Sequence, residues 1–334
     1  MKHQQNHTGR NKATSTTKPA SGRNGARSNV NDSFDKYTDI AIIFNPNSTG
    51  NSKLNAQQLA AKLNGTPASD LVRIVATDGP GRAEQIAYDI AMDTDKPLII
   101  SSSGDGGYNE VVNGVLNAQR QRSRDHRPHA PVCGLLPSGN ANDHYRNLHR
   151  QPIEDQILSG QHRVIDMLSI EGRRDGIHWQ RYAHSYIGVG LTPQIGRELN
   201  KVKLNRFREA WIVVRTLRRL RGSRLMVRGR QRSYDSLIFS NIGSMSKILT
   251  ISDSSELSDG KFEIIAFPTR SRWYLLSQLV RASTVGLQTT RQASHYTFST
   301  VSRTHVQLDG EIFRLDAGSE VRITLEAKLL RCII

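Results

Sequence analysis

The residue with the most chemical content is Asp105, held in the run Ser103-Gly104-Asp105-Gly106-Gly107. Three glycines here remove the Cβ atoms that would keep a backbone from a phosphate, and a helix starting at this point would aim unpaired N–H groups at the turn. An anion is the natural guest. A carboxylate beside phosphate is repelled unless a divalent cation or a transferable proton lies between them, so Asp105 implies a metal. Two more polar turns carry similar residues, Asn45-Pro46-Asn47-Ser48-Thr49-Gly50-Asn51 and Pro137-Ser138-Gly139-Asn140-Ala141-Asn142-Asp143. Near the end of the chain, Asp309-Gly310-Glu311 sets two carboxylates on either side of a glycine. Taken singly, each of these fits an ordinary turn as well as a site.

Each N-terminal turn follows a short apolar run: Asp39 to Phe44, the residues after Pro97, and Val132 to Leu136. Such runs predict buried parallel strands, and the apolar periodicity after Asp105 predicts a helix. In an open parallel α/β sheet the ligand crevice lies outside the carboxyl ends of the strands, so the three turns are expected to meet at one rim.

The order of these turns resembles the diacylglycerol kinase catalytic domain superfamily, which also holds sphingosine and ceramide kinases and, more distantly, NAD kinases. Asn45-Pro46-Asn47-Ser48-Thr49 is similar to its N-P-x-S-G turn, Ser103 to Gly114 to its G-G-D-G-T-x-x-E-V-x-N-G, and Pro137 to Asp143 to its P-x-G-T-x-N-D. Glu256-Leu257-Ser258-Asp259-Gly260-Lys261-Phe262 is similar to its D-G metal segment, and Leu308-Asp309-Gly310-Glu311 to its D-G-E. Departures occur too. Ser103 replaces a glycine, Gly107 and Asn140 each replace a threonine, Thr49 stands where glycine is usual, and Asn241-Ile242-Gly243-Ser244 is a degraded glycine segment.

The resemblance implies a three-layer α/β nucleotide-binding domain followed by a β-sandwich-like domain, with ATP as co-substrate and Mg²⁺ as cofactor. It implies nucleotide contacts from Asn45, Pro46, Asn47, Ser48, Thr49, Thr77, Gly104, Asp105, Gly106, Gly107, Tyr108, Asn109, Glu110 and Asn140. Metal would be held at Asp105 and Asp143, partly through water, and at a second position by Glu256, Asp259 and the Lys261 carbonyl. Glu311 is expected to accept the proton of a lipid hydroxyl, with Asp309 orienting it or linked to metal. His144 is expected to be an ordinary polar residue at a helix start.

The expected organisation is a disordered basic tail over 1–37, a nucleotide-binding domain over 38–162, a β-rich lipid-substrate domain over 163–320, and a last strand over 321–334 returning to the first domain. Short strands are predicted after Asp143, among them Arg181 to Val189 and Val321 to Leu325, with helices near Arg197 to Leu220 and Trp273 to Leu287. At 334 residues and 37% hydrophobic content the chain is long enough for two cores. No apolar run approaches the roughly 18 residues needed to span a bilayer, and the start lacks the apolar centre of a secretory signal. Cys133 and Cys332 lie far apart, so no disulfide framework is indicated and a reducing compartment fits.

The net charge is +16. Residues 201–232 hold twelve Lys/Arg against Glu209 alone, and the tail holds seven against two acids. Charge so concentrated belongs to a surface with an acidic partner. Helical spacing from Arg206 to Leu220 sets Phe207, Ala210, Val214 and Leu217 on one side and Arg208, Arg215 and Arg219 on the other, a face suited to an anionic membrane. Nucleic acid is disfavoured, since no zinc signature or interleaved aromatics accompany the charge. These features lead to an ATP-dependent lipid kinase acting on diacylglycerol or a related alcohol, cytoplasmic and peripherally bound to the inner membrane face. A catalytically weak lipid-binding pseudokinase and an NAD-kinase-like enzyme are the alternatives, and a homodimer is left open.

Overall fold

The computed structural model describes residues 35–48, 50–148, 151–174, 177–190, 222–242, 244–245, 249–250, 260–270, 274, 277, 281 and 291–333. Thr49, Arg208, Arg215, Arg219, Glu256 and Asp259, most of the expected tail, the predicted helix near 197–220 and most of that near 273–287 lie outside them.

The first part alternates strand and helix: β1 (Asp39–Phe44), α1 (Ser52–Leu63), β2 (Val72–Ala76), α2 (Arg82–Asp93), β3 (Pro97–Ser103), α3 (Asp105–Arg124), β4 (Val132–Pro137), α4 (Asp143–Leu148) and α5 (Ile153–Ser159). Its strands are parallel in the order β2-β1-β3-β4. Ile40, Ile42, Leu98 and Ile100 pack against α1 and α5, whereas Ala41, Ile43, Ile99 and Leu135 pack against α2 and α3. Helices on both sides explain why β1, β3 and β4 read as apolar runs, whereas β2 is the partly exposed edge strand. Buried Arg122 ties the layer together, its guanidinium donating to the carbonyls of Ala91, Thr94, Asp95 and His129.

The rest is β-rich: β5 (Arg163–Arg174), β6 (Ile177–Ala183), β7 (Tyr186–Gly190), β8 (Ser223–Val227), β9 (Arg230–Ser240), β10 (Ser244–Met245), β11 (Leu249–Thr250), β12 (Phe262–Pro268), β13 (Arg291–Ala293), β14 (His295–Thr300), β15 (Thr304–Leu308), β16 (Glu311–Leu315) and β17 (Glu320–Cys332). A second core of Ile187, Leu225, Phe239, Phe262, Phe298, Val306 and Ile323 fills the inward faces of these strands. Strand β17 joins the two parts. It runs antiparallel to β5 and β14, shifts register between Glu326 and Leu330, and sets Cys332 opposite Cys133 of β4 in parallel pairing. All but β10 and β11 therefore belong to one 15-stranded sheet.

Two details differ from the sequence reading. The two cysteines, distant in sequence, are register partners, buried and unoxidised, and burial pushes the Cys332 thiol up to about 12. The single strand expected over Arg181 to Val189 is two, β6 and β7, because the N–H groups of His184 and Ser185 turn aside to the Asp309 carboxylate.

Candidate functional site

Three turns converge where β1, β3 and β4 end. The Ser102 hydroxyl donates to the Ser52 carbonyl at 2.7 Å and lies 3.1 Å from the Ser138 hydroxyl, to which Asn55 Nδ2 donates at 2.8 Å. Ser48 Oγ donates to Ser52 Oγ at 2.8 Å, and Ser52 Oγ to the Asn45 carbonyl at 2.7 Å. Asn45 Oδ1 accepts from the Asn47 N–H at 2.8 Å, so the first turn is shaped by its own side chains. Asn45, Pro46 and Asn47 are exposed along this rim, as is Asn140, while Thr77 is buried just beyond β2. Gly104 and Gly139 touch backbone to backbone: a Cβ on Gly139 would stand 2.4 Å from Gly104 Cα.

Ser103 and Gly107 are a matched pair. A Cβ on Gly107 would fall 2.7 Å from Ser103 Cβ and 2.8 Å from Ser103 Oγ, so the serine occupies the space that a side chain at 107 needs. The Ser103 hydroxyl lies 2.7 Å from Ser101 Oγ and donates to the Gly104 carbonyl at 2.9 Å. Gly107→Thr alone is expected to cost about 1–3 kcal/mol through overpacking, despite the better helix propensity of threonine. Adding Ser103→Gly should recover most of that loss, read as urea midpoints for the two single variants and the double; a Gly107→Thr midpoint equal to the parent's would show that no conflict exists.

Asp105 opens α3 and is buried. Its carboxylate accepts the N–H groups of Asp143 at 3.0 Å and His144 at 3.1 Å, joining the starts of α3 and α4. Asp143 is buried and paired with Arg146. Behind Asp105 the rings of Tyr108, His144 and His184 pack together, with the two histidine centroids 4.4 Å apart. His184 Nε2 lies 3.2 Å from the Asp105 carbonyl and 3.3 Å from Asp309 Oδ2. Both are acceptors, so Nε2 carries a proton, and Nδ1 lies 2.8 Å from the Ser185 hydroxyl.

Asp309 is fully enclosed. Its Oδ1 accepts from the N–H groups of Ser185 (2.9 Å) and Tyr186 (2.8 Å), and its Oδ2 from His184 N–H (2.6 Å) and Asn109 Nδ2 (2.9 Å). Asn109 Nδ2 also donates to the Tyr182 carbonyl, and Asn113 Nδ2 to the same oxygen. Tyr108 and Asn109 thus sit in the joint between α3 and the β-rich part, their side chains buried inside it. Burial pushes the Asp309 carboxyl up, against the opposite pull of His184 and the donors.

Glu311, two residues on, meets the start of α3 from the other side. A Cβ on Gly106 would come 2.6 Å from Glu311 Oε1, and one on Gly310 would come 3.3 Å from Gly106 N, so both glycines permit the contact. Gly310 has a φ of +108°, which favours glycine on its own account. Burial and the like charge of Glu110 raise the Glu311 carboxyl above the usual range, partly offset by Arg181. Glu110 is raised by its own burial while accepting the Gly81 N–H at 3.2 Å. Arg181 forms a two-pronged bond to Glu84, at 2.7 and 2.6 Å, and lies over the Phe313 ring.

Of the expected metal residues, Asp105 and Asp143 meet at the α3–α4 joint, and Lys261 lies exposed at the entry to β12, next to Gly260, whose N–H donates to buried Asp166 at 3.0 Å. Among the described residues no group of three or more His, Cys, Asp or Glu side chains is arranged to hold a metal ion. The sequence reading missed His184, Arg181 and Glu84. None lies in a motif; the only trace is Arg181 as a charge within a predicted strand.

Residues 39–170 match the family model of the diacylglycerol kinase catalytic domain. A diacylglycerol kinase of Staphylococcus aureus is 32% identical over 136 residues, covering 40% of this chain and 40% of that protein. The diacylglycerol kinase of Staphylococcus haemolyticus is 38% identical over 91 residues, 27% of this chain and 24% of that one. The matched stretches thus span less than half the length of these curated relatives. A diacylglycerol kinase structure from Bacillus anthracis superposes with a TM-score of 0.62 at 18% identity, covering 89% of this chain and 97% of that chain, which shows a shared fold.

Proposed function

We propose that the chain transfers the γ-phosphoryl group of ATP to a hydroxyl of a membrane lipid such as diacylglycerol, a reading supported by the match of residues 39–170 to the diacylglycerol kinase catalytic domain model. The observation that carries this reading is the Glu311 carboxyl pressed against Gly106 at the start of α3. A base with a raised pKa then lies beside the N–H groups of the first helical turn, which have no partner within the helix and favour an anion. Glu311 takes the proton of the acceptor hydroxyl as the new O–P bond forms and the bond to the leaving phosphate oxygen breaks. Phosphoryl transfer depends mainly on positioning, and the N–H groups that open α3 lie at the rim where the turns meet.

The described carboxylates do not make a ready metal cage. Asp105 is taken by two N–H groups, Asp143 by Arg146 and Asp309 by four donors. Mg²⁺ would fit here as an ion carried on the nucleotide phosphates with retained water, the ligation this cation prefers.

The test is the purified chain with labelled ATP, Mg²⁺, vesicles containing diacylglycerol or other lipid alcohols, and NAD. A labelled lipid supports the reading. Label on NAD would make the substrate a soluble nucleotide, and ATP binding without turnover would make the chain a lipid-binding pseudokinase. Among the described residues no helix is long and apolar enough to cross a membrane.

The pH profile follows from the same carboxyl. Glu311 works ionised, so kcat/KM should rise with pH through a pKa above the ordinary value of about 4.3. Glu110→Gln removes a like charge and should move that limb to lower pH. Arg181→Gln removes the opposing cation and should move it to higher pH. A limb that stays fixed in both variants would separate it from Glu311.

A further inference from the structure

The outer face of the β-rich part carries cations that the site above does not use. On β8 buried Leu225 and Val227 alternate with exposed Arg224 and Met226, followed at the turn by exposed Arg228, whereas Arg230 stands opposite Val227 on the other face. Strand pairing extends this face sideways: Met226 lies opposite Ser299, Thr297 opposite Arg322, Arg322 opposite Glu171, and Arg173 opposite His178. Between these strands runs a shallow groove of about 490 Å³, lined among others by Arg173, Met226, Arg228, Thr297 and Arg322. Glu171 is engaged by His178 at 3.2 Å and Arg322 at 3.8 Å, and Glu320 stands on the groove's edge. Among the described residues no carboxylate lies within ion-pair distance of Arg173, Arg224, Arg228 or Arg230.

Such a face favours one kind of partner. Guanidinium groups bond phosphate oxygens in pairs, and an anionic bilayer presents phosphates at high density. Met226, 40% exposed among the arginines, is an apolar residue suited to the headgroup boundary. Nucleic acid would be better served by exposed aromatic rings, and the one aromatic residue lining the groove, Phe298, is buried.

We propose that this face docks the protein on an anionic bilayer, with lipid phosphates bonded by Arg173, Arg224 and Arg228 and Met226 seated among them. It rests on the reading of the chain as a lipid kinase, whose acceptor lies in a membrane. It uses none of Arg208, Arg215 and Arg219, which lie outside the described residues.

The full chain is sedimented with vesicles of phosphatidylglycerol in phosphatidylcholine, and with phosphatidylcholine alone, over a range of salt. The chain should bind the anionic vesicles and release with salt, since exposed charges act within a Debye length of about 10 Å at 0.1 M. Arg173→Gln/Arg224→Gln/Arg228→Gln should weaken partition by about fivefold per charge, roughly a hundredfold in all. The threefold Lys variant should keep most of the binding. Should the threefold Gln variant not fold, the pairs Arg173→Gln/Arg224→Gln and Arg224→Gln/Arg228→Gln take its place, each weakening partition by about 25-fold.

Unchanged partition in the Gln variants overturns the proposal, as does a parent chain that ignores anionic vesicles or retains duplex DNA in their place. Turnover of detergent-dispersed diacylglycerol separates the two readings. Docking with no turnover of any lipid counts against the kinase and leaves the surface standing; turnover with arginine-independent docking does the reverse.

Discussion

Glu311→Gln is expected to lower kcat by about 10² to 10⁴, the usual contribution of a positioned general base, while ATP binding and the thermal midpoint hold. The amide keeps the shape of the carboxyl at Gly106 but cannot take the proton. Stability should not fall, because the ionised Glu311 is disfavoured by burial and by Glu110, and a neutral side chain relieves both. Single-turnover phosphorylation of dispersed diacylglycerol, with nucleotide affinity measured separately, distinguishes a lost chemical step from lost binding. A Glu311→Gln chain that turns over normally would remove the base from this position.

The motif series lets much of the first part be read from residues alone. The apolar runs of β1, β3 and β4 have to be buried on both faces, and the polar turns at their ends follow from the parallel sheet that such runs make. What the sequence hides is how each carboxylate is spent. Asp105, Asp143, Asp309 and Glu311 look alike as letters, yet three are enclosed by protein donors and only Glu311 faces the start of α3 with its charge poorly matched. Those donors come from chain far away: the N–H groups that hold Asp309 begin 123 residues upstream. Such partners carry no local pattern, since a backbone N–H has no sequence signature. The facing of Cys133 and Cys332 was hidden for the same reason, as it depends on a register shift in β17 that brings the strand's end to β4.

Asp309 should show the opposite behaviour to its neighbour in the same tripeptide. Asp309→Ala is expected to destabilise the fold by about 3–5 kcal/mol, the range for removing one partner from a buried charged network. The side chain serves three consecutive N–H groups, of His184, Ser185 and Tyr186, together with the Asn109 amide and the His184 ring. All lie where water does not reach, so their loss has no cheap replacement. Asp309 also has a φ of +48°, tolerated by aspartate and asparagine but strained for alanine. Asp309→Asn therefore isolates the carboxylate: it keeps the backbone and one acceptor oxygen, turns an NH₂ toward N–H groups, and should cost less than Ala while remaining well below the parent. Because Asn109 Nδ2 bonds both Asp309 and the Tyr182 carbonyl, Asn109→Ala and Asp309→Asn remove a shared contact. Their combined loss in urea unfolding should then fall short of the sum of the single losses. Additive losses would mean that α3 and the β6–β7 break are held independently, and a fully stable Asp309→Ala would show that this carboxylate does not hold the break in place.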